Sequence, residues 1–355
     1  MSTTEPSLKH NLKTTQDVEK LQNLLEILIQ DIVIDHKNET LVPSSTLNQI
    51  KLDVDRSFNY IENATNKSLY KSLLKNTLNK VFEIKPKWFY YQGYHDIVAF
   101  FLYQLTYIEN GTVQFKKCDN DRLLLYIIVF TENFLKDFMT KDLNNAMVYL
   151  NFIPKILKKY NMYNYQIFKN KPFYGSIANI ITLFTHNISQ QNIPIRLKIM
   201  SYLLESKNIS FILVFYTKLI SHFKLKIEER VLNNSDSGND PLVLQSLINT
   251  LITDELDKVD LNELEKLLKE SFDDMNSPKI QNIFKYSYEN NGLLINFDYK
   301  REKIILKNTL LVAVNMIMLK KMTPDITSPY TFAGTVLTIN NIHRLIRYYT
   351  LRYLK

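Results

Sequence analysis

The chain has 355 residues, a formal net charge of +8 and a pI near 9.1, with 45% hydrophobic and 23% charged residues. That balance excludes an intrinsically disordered chain. Cys118 is the only cysteine, which excludes intrachain disulfides and thiolate metal sites. The lysines are spread along the chain rather than gathered in a stripe, which argues against nucleic acid as a partner in spite of the basic pI.

With only 6 glycines and 10 prolines, long helices joined by polar loops fit better than a β-rich fold. The start, MSTTEPSLKH, lacks the apolar core of a signal peptide, so the chain is expected on the cytosolic side. The Asn-x-Ser/Thr triplets at Asn38, Asn63, Asn66, Asn110, Asn187 and Asn208 then follow from asparagine abundance alone. The histidines, among them His95, His186 and His222, have no metal-ligand spacing.

In chain order, residues 1–14 read as a mobile tail. From Asp17, the pattern Val18, Leu21, Leu24/Leu25, Leu28, Ile32 has helical period. Ser44-Ser45 is the expected N-cap of a helix carrying Leu47, Ile50 and Val54. SLYKSLLKNTLNKVFE forms the next helix, with Leu69, Leu73, Leu74, Leu78 and Phe82 on its buried side, and Lys85-Pro86-Lys87 stops it. The aromatic stretch WFYYQGYHD (88–96) leads into an apolar helix through Ile97, Phe101 and Leu105. Further helices are expected near 122–138, 142–159, 173–187, 193–206, 209–226 and 242–253, and DELDKVDLNELEKLLKES reads as a charged, exposed helix. The clearest surface loop is 233–241, and no alternating strand stands out. The expected class is all-α.

Two constellations carry chemistry. In NQIKLDVDRSF, Ile50, Asp53 and Arg56 stand at i, i+3 and i+6, so Asp53 can hold the Arg56 guanidinium from one turn away and leave donors free. Downstream, Tyr90-Tyr91-Gln92-Gly93 sets an amide in a glycine-relieved turn. The bland alternatives are an ordinary surface ion pair for Arg56, packing for Trp88, Tyr90 and Tyr91, a hydrogen-bonded core group for His95, and a carboxylate favoured by the helix dipole for Asp96.

The pattern Ile-x-x-Asp-x-x-Arg followed by Tyr-x-Gln-Gly resembles the TBC domain of Rab GTPase-activating proteins, with either tyrosine fitting the second motif. YYQGYHDIVAFFL is similar to the endoplasmic-reticulum-associated branch, as are FLKDFMTKDLNNAMVYLNFIPKIL and ITLFTHNISQQNIPIRLKIMSYLLES. Residues 15–35 lack the family's tryptophan, and Met200-Ser201 stands where an aromatic-Asp pair is usual.

The resemblance implies a single large helical TBC domain over 15–272. It further implies that Arg56 and Gln92 act in trans on a Rab-family GTPase in its GTP form. Asp53, Ile50, Tyr90, Tyr91, Gly93, His95 and Asp96 would support them, and His95 would take the place of a common asparagine. The chemistry is coherent. An always-charged planar guanidinium neutralises charge on a transferring phosphoryl group, and a carboxamide can hold the attacking water in line. GTP and Mg2+ would belong to the GTPase, leaving no cofactor on this chain. The runner-up is a non-catalytic adaptor of the same fold, and a basic membrane-surface or nucleic-acid binder comes third.

For residues 273–355 the resemblance implies a membrane anchor on the cytosolic face of the endoplasmic reticulum or another secretory membrane. The apolar run TLLVAVNMIML (309–319) has 11 residues, short of the roughly 20 that span a bilayer, and a second, moderately apolar run, YTFAGTVLTINNI, follows. Lys307, Lys320 and Lys321 flank the first run, and the end IHRLIRYYTLRYLK suits an interfacial helix. A helical extension that contacts the membrane without a long span is the expectation, the alternative being a cytoplasmic chain in which the extension packs on the TBC domain.

Overall fold

The computed structural model describes residues 5–30, 41–160, 173–186, 192–233 and 241–291. The loop expected at 233–241 and the segment 304–355 expected to meet a membrane lie almost wholly or wholly outside these residues. Within them the fold is helical apart from one hairpin. No helix among the described residues is long and apolar enough to cross a membrane.

The first helix, α1 (Glu5–Ile29), begins inside the stretch expected to be a tail. It buries Val18, Leu21, Leu25 and Ile29. Next come α2 (Ser44–Asp55) and α3 (Ala64–Ile84). Pro43 rather than a serine occupies the N-cap of α2, with no side-chain capping bond. Helix α3 is capped by Asn63, whose side chain accepts from Asn66 N at 2.9 Å, and it ends before Pro86. Its buried face is Tyr70, Leu74, Thr77, Leu78, Val81 and Phe82, while Leu69 and Leu73 are only half-buried at its edge.

Helix α4 (Tyr94–Leu105) is apolar nearly all round and sits in the core, as such a helix must. Directly after it, β1 (Thr106–Glu109) and β2 (Thr112–Phe115) pair antiparallel, Thr106 opposite Phe115 and Glu109 opposite Thr112. The link is Asn110-Gly111, both with positive φ (51° and 73°). That is the strongest short-range hairpin signal a sequence carries, here hidden inside an Asn-x-Thr triplet.

Helix α5 (Asn120–Phe134) is capped by Asp119, which accepts from Arg122 N at 2.7 Å. After a 3-10 turn (Lys136–Phe138) come α6 (Asn144–Leu150) and α7 (Phe152–Lys159), which divide the single helix expected over 142–159. Another 3-10 turn (Tyr174–Ser176) leads into the short α8 (Ile177–Ile181). Helix α9 (Ile193–Ser206) matches its expected limits. The run expected over 209–226 is broken into the deeply buried α10 (Ser210–His222) and α11 (Lys224–Asn233). The described chain closes with α12 (Pro241–Leu256), α13 (Leu261–Met275) and α14 (Pro278–Asn291).

Helix α13 corrects the expectation of an exposed helix. Leu264, Leu267, Leu268, Ser271 and Met275 form a buried stripe at helical spacing, packed on α9 and α10. Its acidic side chains also pair with those helices: Glu265 with Lys198 (2.5 Å) and Tyr202 (2.7 Å), Asp274 with Lys218 (2.6 Å). High charge content disguised an inward face. The helical body also continues past residue 272, since α13 runs through that point and α14 packs on α7, with the Phe152 and Phe284 rings 5.0 Å apart.

Candidate functional site

Helix α2 delivers its last turn to the site. Ile50, fully buried, anchors it in the core; Asp53 is 5% exposed; Arg56, the C-cap residue, keeps about half of its side chain (52%) in solvent. The carbonyls that a helix end leaves without partners are occupied here. Ser57 N donates to Val54 O (3.0 Å), Ser57 Oγ to Asp53 O (2.8 Å), Asn59 Nδ2 to Arg56 O (2.9 Å), and Lys71 Nζ to Asp55 O. Phe58, buried, completes the turn at φ +58°. The backbone beneath Arg56 is fixed.

The aromatic stretch approaches from the other side. Phe89 N donates to Met139 O at 3.0 Å, and Tyr91, buried against Phe138 and Tyr94, donates its hydroxyl to Ile181 O at 2.8 Å. Tyr90 instead donates to Asp53 Oδ2 at 2.5 Å. The structure thus separates two tyrosines that look interchangeable in sequence: Tyr90 belongs to the arginine's seat and Tyr91 to the packing beneath the loop. Gln92 stands exposed between buried Tyr91 and buried Gly93, and among the described residues its amide has no hydrogen-bond partner.

Gly93 is required twice. Its φ of +106° is one that side chains rarely adopt, and a Cβ there would lie 2.7 Å from Thr182 Cγ2. Gly93→Ala is therefore expected to destabilise the protein by about 1–3 kcal/mol from the backbone and a similar amount from the contact. Adding Thr182→Ser removes the crowding methyl and should recover the second part only. Denaturant unfolding of the single and double variants checks this, and an unchanged midpoint for Gly93→Ala rules the account out.

The polar groups form one connected cluster. Asp53 Oδ1 accepts from the Arg56 guanidinium, and Asp53 Oδ2 accepts from Tyr90 and lies 3.3 Å from His95 Nδ1. His95, 3% exposed, has Nδ1 also 3.3 Å from the Tyr90 hydroxyl, and Nε2 3.3 Å from Asp96 Oδ1. Tyr90 gives its only proton to Asp53, so the proton facing these two oxygens belongs to His95 Nδ1. Burial holds the His95 pKa below its usual 6.5, against the pull of Asp96 and Asp53. Burial and the bond to Asp53 together push the Tyr90 hydroxyl far above 10, so it stays a donor. On the outer side His186 Nδ1 meets Asp96 Oδ2 at 2.8 Å, and that hydrogen bond raises the His186 pKa above 6.5.

Of the residues singled out in the sequence, Asp53, Arg56, Tyr90, His95 and Asp96 meet in this cluster. Ile50, Tyr91 and Gly93 form the packing beneath it. His186, named in the sequence only as lacking metal-ligand spacing, and Thr182 join the site from the turn at 182–186, some ninety positions from their partners. Arg56, Tyr60, His95, Asp96, Phe100 and His186 line a pocket of about 240 Å3. A larger cleft, about 840 Å3, lies between α1, α4 and the hairpin and contains neither motif residue. Its size makes it no better a candidate. Among the described residues no group of His, Cys, Asp and Glu side chains could hold a metal ion.

An exposed guanidinium seated on a buried carboxylate, with an unengaged amide on a rigid loop, can offer charge and hydrogen bonds to a partner without rebuilding its own backbone. Comparison with known proteins points the same way. Over 232 residues (59% of this chain, 46% of the relative) the sequence is 29% identical to the GTPase-activating protein GYP8 of Saccharomyces cerevisiae. Over 153 residues (42% and 38%) it is 30% identical to the GTPase-activating protein gyp10 of Schizosaccharomyces pombe. The chain thus spans less than half the length of either relative. The family model for the Rab-GTPase-TBC domain matches residues 8–228, most of the chain, a span that contains residues 50–56 and 90–93. The chain belongs to the Rab-GTPase-TBC domain family.

Proposed function

We propose that the protein is a GTPase-activating protein for a Rab-family small GTPase in its GTP form, with Arg56 and Gln92 entering the partner's active site. The observation that carries this reading is the pair of exposed polar heads on fixed supports: Arg56 on buried Asp53 and half-buried Tyr90, Gln92 between buried Tyr91 and Gly93. Membership of the Rab-GTPase-TBC family and the names of the two yeast relatives support it.

In this reading the guanidinium neutralises charge on the γ-phosphoryl group as it transfers. Asp53 engages one face of the fork and leaves other donors for that group. The Gln92 amide accepts from the attacking water through its oxygen and donates through its nitrogen. GTP and Mg2+ stay with the GTPase. A role in vesicle transport at the endoplasmic reticulum, with membrane contact through residues 304–355, belongs to the same proposal and is supported by the sequence resemblance and the basic aromatic C-terminus.

The test is single-turnover GTP hydrolysis over a panel of purified Rabs, with and without the protein. Acceleration of at least one member by a thousandfold or more, the scale of arginine-finger catalysis, is the expected result. A Rab that binds the protein tightly in its GTP form and hydrolyses no faster would instead identify the non-catalytic adaptor.

A further inference from the structure

His186 and Arg56 open onto the same pocket, with 54% and 52% of their side chains exposed, and buried and half-buried groups join them. From the surface inward the order is His186, Asp96, His95, then Asp53 with Tyr90, then Arg56, at separations of 2.8 and 3.3 Å up to Asp53. The arginine–glutamine reading makes no use of the His186 end.

The groups that act on His186 are Asp96 and His95 from α4 and Asp53 and Arg56 from the end of α2, while Arg196 from α9 interacts with Asp96 behind them. With His95 kept neutral by burial, the charges that act on His186 are the carboxylates of Asp96 and Asp53 and the guanidinium of Arg56. A proton on His186 complements the Asp96 carboxylate that it meets at 2.8 Å. Without it, His95 is the remaining site for a proton, and taking one would change what Nε2 offers to Asp96.

The backbone supports a placed rather than incidental histidine. The turn that carries it holds Leu183 and Phe184 in the left-handed region, φ +52° and +64°, both side chains buried. Such conformations persist only where the surroundings enforce them, and they gather at functional sites.

We propose that His186 is a positioning residue. Its imidazolium holds Asp96 and offsets the charge that this carboxylate sets against the unprotonated Nε2 of His95, so His95 keeps its one proton on Nδ1, where with Tyr90 it fixes the Asp53 seat of Arg56; the stimulation of hydrolysis therefore depends on a proton at position 186. This rests on the function proposed above. The direction of the pH effect follows from the raised His186 pKa. The ion pair is complete below the unfolded-state value near 6.5 and is lost as pH rises through the higher folded-state value.

The experiment has two arms. Single-turnover hydrolysis of a responsive Rab is followed from about pH 6 to 9, the range over which a raised histidine titrates, with wild type, His186→Gln and His186→Lys. Wild-type stimulation should fall as pH rises. His186→Gln should lose up to about a hundredfold at low pH, the cost of a catalytic group misplaced by about 1 Å. Its apparent affinity for the Rab should be unchanged and its pH dependence flat. His186→Lys should recover part of the rate and hold it to higher pH. A His186→Gln variant that matches wild type at every pH overturns the proposal, and so does a loss confined to affinity, which would place His186 in direct contact with the GTPase.

The second arm needs no GTPase. The His186 ring is titrated by NMR in the free protein, which has only 6 histidines. An elevated pKa that returns toward 6.5 in Asp96→Asn supports the linkage, and an unelevated one overturns it. If no Rab responds to wild type, the activator reading fails, and with it the dependence of hydrolysis on position 186; the titration still decides the linkage between His186 and Asp96 by itself.

Discussion

Arg56→Ala is expected to abolish nearly all stimulation of GTP hydrolysis while leaving the protein folded. An arginine supplied in trans to a GTPase is worth about 10³ to 10⁵ in rate, roughly 4 to 7 kcal/mol of transition-state stabilisation. The fold should tolerate the loss. The Arg56 side chain is half in solvent, and the buried Asp53 loses its cation but keeps the Tyr90 hydroxyl and its place beside His95, so the cost in stability should be about 1–3 kcal/mol, not enough to unfold the protein. Arg56→Lys should restore little, because an ammonium three residues from Asp53 can still make an ion pair but offers no planar fork to a phosphoryl group. Single-turnover rates with the three proteins, beside thermal unfolding of each, decide the matter. Near-wild-type stimulation by Arg56→Ala removes the arginine from the mechanism.

The second large effect belongs to Gln92. Loss of one hydrogen-bonding group aimed at a transition state costs about 10² to 10³ in rate, and Gln92→Ala should lose that much with no cost in stability, since the side chain is exposed and makes no hydrogen bond among the described residues. A second measurement separates this from a general weakening of the interface. If the amide is supplied by this chain, a Rab whose own switch glutamine has been replaced should still respond to wild-type protein and fail to respond to Gln92→Ala. A harmless Gln92→Ala would mean that the GTPase positions the water itself.

Both motif residues are legible in the sequence because their geometry is local: Asp53 and Arg56 are a turn apart on one helix, and Gly93 marks the special turn after Gln92. Helix α9 is legible for the same reason, a clean apolar period running up to Lys207, which adopts the left-handed conformation at the C-cap. What escapes is either long-range or disguised. No periodicity links Thr182 to Gly93, or His186 to Asp96, across some ninety residues. The choice between Tyr90 and Tyr91 depends on which hydroxyl reaches α2, a tertiary fact. The hairpin strands are short, and the Asn110-Gly111 turn between them doubles as part of an Asn-x-Thr triplet. In α13 the charges suggest solvent, yet they pair with Lys198 and Lys218 on the helices it covers.

The unequal footing of the two exposed side chains has a consequence for the timing of an encounter. Arg56 has already lost much of its rotational freedom to Asp53, so a partner meets it in a single pose. Gln92 keeps its rotamers, and immobilising a glutamine costs up to about 1.5–2 kcal/mol of conformational entropy, incurred only when something grips the amide. The guanidinium is in place before contact and the amide only after it. A molecule docking on this face would thus find half of the site waiting and would have to assemble the other half itself.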